Sequence, residues 1–386
     1  MEVKLSGAST IKRGYSLSTD PATAVRELHA AIFQPDTALA VFFCSSTYDL
    51  DALGAELHVR FPGVNLIGCT TAGEITPMGF QEGTICGFSI GGSGSRAAVT
   101  RIDCLGDCPI SAGFTAAEEL MARFAPGTDV ADDTNTFGLL LIDGMSAREE
   151  VLLSTVHWGL GNIPLLGGSA GDDMRLTNTF LYHDGKFSSN TALLCLVHVE
   201  APFRAFNTKH FRGTNEKLVV TKADPERRLV LELNAAPAAA EYARITGMDV
   251  RDLTPESTAD RALMVKIGGE FYVRSIQKVG ADGSLTFYSA IEQGVVLTLA
   301  TPGDLLADLR DLFGKLRGEI GPPQLVIGFD CVLRRMEMER RQIRHIAGGL
   351  MAENNVIGFA TYGEQYQAMH LNNTFTGVAI GRALAV

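Results

Sequence analysis

The chain has 386 residues, 46% of them hydrophobic, enough to close one large core or two smaller ones. Its 33 basic against 44 acidic side chains leave a formal net charge of -11, with no dense Lys/Arg stripe to neutralise a row of phosphates, which argues against nucleic acid as a partner. The first twenty residues lack an apolar signal-like region, and no later stretch approaches the roughly 18 uninterrupted apolar residues that cross a bilayer, so a cytoplasmic chain without a membrane partner is expected. Seven cysteines, at 44, 69, 86, 104, 108, 195 and 331, are odd in number and form no Cys-x-x-Cys pair. That pattern suits a reducing compartment and supports neither a disulfide framework nor a structural zinc site.

Along the chain, short β-like runs alternate with amphipathic helices, the pattern of an α/β fold. Asp20 followed by Pro21 predicts a helix start, because the carboxylate caps free N–H groups and proline's missing N–H costs nothing there; Val25, Leu28 and Ile32 then line one face. Between about 262 and 300 the pattern changes to strands alone, FYVRSIQKV, the turn Asp282-Gly283, SLTFYSAI and VVLTLA, which reads as a small antiparallel meander. Thr301-Pro302 then predicts a second helix with Leu305, Leu309, Leu312 and Leu316 on its buried stripe.

An internal repeat is the most informative feature. Leu66-Ile67-Gly68-Cys69-Thr70-Thr71-Ala72-Gly73-Glu74 recurs without a gap as Val356-Ile357-Gly358-Phe359-Ala360-Thr361-Tyr362-Gly363-Glu364. A third copy, Leu165-Leu166-Gly167-Gly168-Ser169-Ala170-Gly171-Asp172, is one residue shorter. Each follows an apolar strand, a helix and a second strand, and Cys44 and Asp143 both lie 24 residues before the first glycine of their copy. The expected fold is therefore α/β, with mixed sheets built from repeated β-α-β-β units plus the antiparallel meander. A glycine after a strand commonly serves a turn by taking positive φ. Three copies that each end in a carboxylate suggest instead corners converging on one pocket, since ligands of open α/β sheets bind outside strand ends. No Gly-x-Gly-x-x-Gly opens a helix, and Glu74, Asp172 and Glu364 would repel a phosphate, so nucleotide binding is disfavoured.

At these residues the chain resembles a known family. Gly328-Phe329-Asp330-Cys331-Val332-Leu333-Arg334-Arg335, the copy from Val356 through Gln365, and Met369-His370-Leu371-Asn372-Asn373-Thr374-Phe375 look like the C-terminal half of the FIST domain. The first third, through Gly73-Glu74, resembles its N-terminal half. The resemblance implies a FIST N-like domain over 1-200 and a FIST C-like domain over 201-386. It further implies a bacterial sensory module in signal transduction, not an enzyme. With no attached kinase, PAS or cyclic-dinucleotide domain, the chain is most similar to the stand-alone NosP group. That likeness implies a b-type haem, nitric oxide as the diatomic ligand and a partner histidine kinase or other signalling protein, and it leaves a homo-oligomer open.

A b-type haem needs an axial donor, an apolar slot and cations for its propionates. His29, His58 and His345 fall off the apolar stripes of their helices, His183 precedes a turn, and His157 and His198 read as satisfied structural histidines. His210, in FRAFNTKHFR, is the second choice. His370 is the first: it lies seven residues beyond Gly363, where the first copy has Phe80, with Tyr362 and Tyr366 nearby in sequence. A loop histidine with an ordinary hydrogen bond is the plainer alternative. Arg334 and Arg335 are the candidate propionate partners. Two rivals stand beside the haem sensor. The same pocket suits a small metabolite such as an amino acid, its amine on Glu74, Asp172 or Glu364 and its carboxylate on the arginines. A cysteine-dependent hydrolase would use Cys44 or Cys331, both at predicted strand ends.

Overall fold

The computed structural model describes residues 9–125 and 131–382. Contact density divides the chain discontinuously, where a single cut between 200 and 201 is the sequence expectation. One unit comprises the described residues up to Thr208, Leu309–Met369 and those from Phe375 onward; the other comprises Lys209–Asp308 and His370–Thr374.

The first unit is built from three copies of one motif, and the predicted β-α-β-β run is the centre of each. The first copy runs Thr10–Ser16, helix Pro21–Ile32, Thr37–Ser45, helix Leu50–Arg60, Leu66–Thr71, the hairpin Glu74–Thr76 and Gly79–Gln81, then Ile85–Gly91. The second repeats this order from Arg96–Asp103 to Thr191–His198. The third starts at Phe203–Lys209, is interrupted by most of the second unit, and resumes through Leu325–Cys331 to Thr374–Ile380.

Each copy forms a six-stranded mixed sheet whose two central strands run parallel. Every sheet borrows a short hairpin strand from another copy. Leu181–His183 of the second copy pairs with Leu66–Thr71 of the first, Glu364–Tyr366 of the third with Leu165–Ser169 of the second, and Glu74–Thr76 of the first with Val356–Thr361 of the third. The exchange is cyclic, so no copy completes its own sheet.

Period-two patterning explains the layering. Along Thr37–Ser45, Leu39, Val41 and Phe43 enter a core shared by all three copies, while Ala40, Phe42 and Cys44 pack under the helices. Phe137, Leu139 and Leu141, and Leu325, Ile327 and Phe329, repeat the inward role. Phe43 lies 4.8 Å from Phe359 and 6.4 Å from Phe329, ring centre to ring centre, locking the first copy to the third. Each such buried ring contributes about 2 kcal/mol through its removal from water.

The ladders correct two details. The motif glycines Gly68, Gly167 and Gly358 lie inside strands and are required for room, because a Cβ at Gly167 would sit 1.9 Å from the Leu140 carbonyl oxygen and one at Gly358 1.7 Å from that of Gly328. Of the corner glycines Gly73, Gly171 and Gly363, Gly73 alone has positive φ, at 117°. The shared spacing of 24 is also displaced by one residue: Phe42 pairs with Gly68 and Leu140 with Gly167, so Ser45, not Cys44, stands where Asp143 stands.

Asp20 caps its helix as expected, accepting from Thr23 N at 2.9 Å. The helix predicted from Thr301 begins later, at Leu305, because Thr301 and Pro302 end the strand Val296–Pro302; Asp304 caps the later start, and Leu312 is only half-buried, with Phe313 taking its place.

The second unit contains an eight-stranded antiparallel sheet around the long strand Phe211–Asp224, which includes the predicted meander. Its core joins Leu218, Val230, Leu233, Tyr242, Phe287 and Leu297. No helix among the described residues is long and apolar enough to cross a membrane.

Candidate functional site

The three glycine–carboxylate corners meet one another through backbone hydrogen bonds. Ala72 N–H donates to Ala360 O (3.0 Å) and Ala360 N–H to Gly73 O (2.7 Å), joining the first and third. Gly171 N–H donates to Thr70 O and Asp173 N–H to Thr71 O, both 2.9 Å, joining the second and first. Ser169 N–H donates to Gly363 O (2.9 Å), joining the third and second. The three corners thus meet in one hydrogen-bonded junction, where one pocket between them is the sequence expectation.

Glu74 is fully buried and is served by its own copy: the Thr71 hydroxyl donates to one oxygen, while Thr84 donates its N–H (3.1 Å) and hydroxyl (2.6 Å) to the other. Burial still dominates over those bonds and pushes its carboxyl up to about 7. Asp172 is buried as well, but it accepts from the N–H groups of Leu176, Thr177 and Asn178, the Thr177 hydroxyl and the Tyr362 hydroxyl. Burial pushes this carboxyl up; the Tyr362, Thr177 and Asn178 donors outweigh it and hold it below the ordinary carboxylate range. Glu364 is fully buried on the short strand Glu364–Tyr366, where it pairs with Gly168.

Of the predicted residues, the structure brings Tyr362 directly onto Asp172 and Arg335 onto the first corner, where its guanidinium donates to the Ala72 carbonyl. Arg335 also pairs with Glu82 at 2.7 Å and Glu339 at 2.9 Å. Arg334 is fully buried and pairs with Asp330 at 2.6 Å. Both arginines therefore already hold carboxylates of this chain. Cys44 and Cys331 are buried, and burial, with Glu74 adding to it, pushes the Cys44 thiol well up, away from nucleophilic thiolate.

By contact density His370 and His210 belong to the second unit and the corner residues to the first. His370 occupies the middle of Met369–Leu371, the hairpin position that Phe80 occupies in Gly79–Gln81, as the repeat alignment expects. The two are 3% and 1% exposed, whereas the remaining six of the eight histidines are half-buried or exposed. His198, expected in a core, ends its strand half-buried. Among the described residues no group of three or more His, Cys, Asp or Glu side chains is arranged to hold a metal ion.

Sequence reasoning missed the hydroxyls that serve the corners. They are Thr84 on Glu74 and Thr177 on Asp172; Thr191, which follows its hairpin as Thr84 does, donates instead to Ile102 O and Asp103, so position after the hairpin does not mark the donors. It also missed Asp173, whose carboxylate accepts from the Ser45 hydroxyl (2.9 Å) and from the N–H and hydroxyl of Ser46 (2.9 and 2.6 Å).

Models of the FIST N domain and the FIST C domain match residues 38–236 and 238–367. The chain belongs to the FIST family. FIST domains are signal-transduction sensor domains, so this FIST protein has a sensory role. The junction between its FIST N and FIST C segments falls inside the second compact unit. No curated protein matches the sequence. Among solved structures the FIST chain is similar to a cyanuric acid hydrolase from A. caulinodans, at 8% identity and a TM-score of 0.38, over 97% of this chain and 99% of that one. A likeness that distant transfers no activity.

Proposed function

We propose that this FIST protein senses nitric oxide through a b-type haem held by His370, with His210 as the second candidate, and regulates a partner histidine kinase. The observation that carries the reading is selective burial. Only His210 and His370 among the eight histidines are buried, and both belong to the unit whose core is formed by Leu218, Tyr242 and Phe287. An axial ligand is a neutral imidazole shielded from water, and buried His210 and His370 supply that kind of donor. When bound, a ferrous haem supplies an iron position for a diatomic gas.

His370 begins a short segment tied down within its unit: the Ser289 hydroxyl donates to Asn372, and the Asn373 amide donates to Ser275, both at 2.8 Å. In the proposed switch, a shift of the His370 imidazole on gas binding is passed to these bonds, and the partner reads the change. Arg334 and Arg335 are not assigned to the propionates, because each would have to abandon a carboxylate of this chain. The same saturation at Glu74 and Asp172 weighs against amine recognition there.

The test is the absorption spectrum of the full chain after haem reconstitution. A Soret band that shifts with nitric oxide in the wild type, and is lost or altered in His370→Ala, is expected. A folded protein with no Soret band would make this a haem-free metabolite sensor, and an unaltered spectrum in His370→Ala would transfer the role to His210.

A further inference from the structure

Two of the seven cysteines differ from the rest. Cys44, Cys69, Cys86, Cys195 and Cys331 are buried, whereas Cys104 is exposed and Cys108 half-buried. Burial pushes the thiols of Cys44, Cys69, Cys86 and Cys195 up, which makes them poor nucleophiles. Cys104 and Cys108 share the loop between the strand Arg96–Asp103 and the helix Ala112–Phe124.

The loop turns back between the two. Asp107 N–H donates to Cys104 O at 2.9 Å, closing a turn over 104–107, and the Cys108 thiol lies back over it, 3.5 Å from Leu105 O. Such a turn brings the Cα atoms of Cys104 and Asp107 within about 7 Å; Cys108 follows Asp107 directly, so a disulfide, whose Cα atoms lie roughly 4.4–6.8 Å apart, requires the chain to fold back by one further residue. The turn itself is held: Leu105 N–H donates to Asn190 O (3.1 Å), Gly106 N–H to the Asn190 side chain (3.0 Å), and Arg148 to Gly106 O (2.6 Å). Closure therefore moves Cys108 toward Cys104 over a turn that stays in place.

We propose that Cys104 and Cys108 form a reversible disulfide by exchange with low-molecular-weight disulfides such as oxidised glutathione. The exposed Cys104 thiolate attacks one sulfur of the oxidant, forming a mixed disulfide and releasing one glutathione thiolate. The Cys108 thiolate then attacks the Cys104 sulfur, forming the intramolecular bond and releasing the second. Two protein thiols are oxidised, one oxidised glutathione becomes two reduced molecules, and the two protons pass to solvent or to the departing thiolates.

Both cysteines fall in one tryptic peptide, Ile102–Arg123. After the native chain is incubated with oxidised glutathione, then alkylated under denaturing conditions and digested, that peptide should appear two hydrogens lighter and unalkylated. The pair should be lost more than about tenfold faster than the buried thiols, and reductant should restore both sites. Cys108→Ser, checked for fold by circular dichroism, should instead retain glutathione on Cys104. A wild-type peptide that still carries two alkyl groups, or stable glutathione on both cysteines without closure, would overturn the proposal.

Discussion

The first and second corners carry the same glycine–carboxylate signature, yet their carboxylates are driven in opposite directions. Glu74 has one backbone N–H and two hydroxyls as donors and is pushed up to about 7; Asp172 has three backbone N–H groups and two hydroxyls and is held below the usual range. Both have almost no exposed surface, but Glu74 lies deeper and burial weighs more heavily on it. Fixed donors add to the difference, since each N–H aimed at a carboxylate favours the charged form. The second copy obtains its backbone donors from the loop 173–178, which the other copies lack; the first relies on Thr71 and Thr84 alone. A repeated motif thus preserves geometry while each copy sets its own charge state.

Asp172→Asn should break this difference most. An amide offers one acceptor oxygen and turns N–H donors toward existing N–H donors, so a loss of about 3 kcal/mol is expected at neutral pH from denaturant unfolding. The Glu74 contribution has the opposite pH sense. Its folded value lies above the ordinary 4.5, so its stabilising effect is complete below pH 4.5 and disappears as pH rises through about 7. Glu74→Gln should therefore remove a decline on the order of 2 kcal/mol between mildly acidic and mildly alkaline pH. Asp172, held low, contributes above pH 3.8 and loses that contribution as pH falls through its depressed value. Tyr362→Phe removes one of its donors and should cost about 1.5 kcal/mol, with the acid limb of the stability profile displaced upward. Equal pH profiles for Glu74→Gln and Tyr362→Phe would show that the two corners are not differentiated by their donors.

The repeat was legible because spacing and strand patterning survive in sequence: the three glycine–acid segments do form one junction, and Phe80 and His370 do share a hairpin position. The cyclic exchange of hairpin strands was not legible, because three-residue strands such as Glu74–Thr76 carry no periodicity that names their partner. The donors of Asp172 were hidden for a related reason. Backbone N–H groups have no residue signature, and Asp173, Met174 and Leu176 reach them through positive φ at non-glycine positions. Arg334 and Arg335 looked available because their partners Asp330, Glu82 and Glu339 are only identified by the fold.

In the proposed function the corner carboxylates serve structure and the buried imidazoles His210 and His370 serve ligand binding. Haem titration of the wild type, Glu74→Gln and His370→Ala, followed at the Soret band, tests that division most directly. Wild-type stoichiometry in Glu74→Gln and loss or spectral change in His370→Ala are predicted; loss in Glu74→Gln with an unchanged His370→Ala would contradict it.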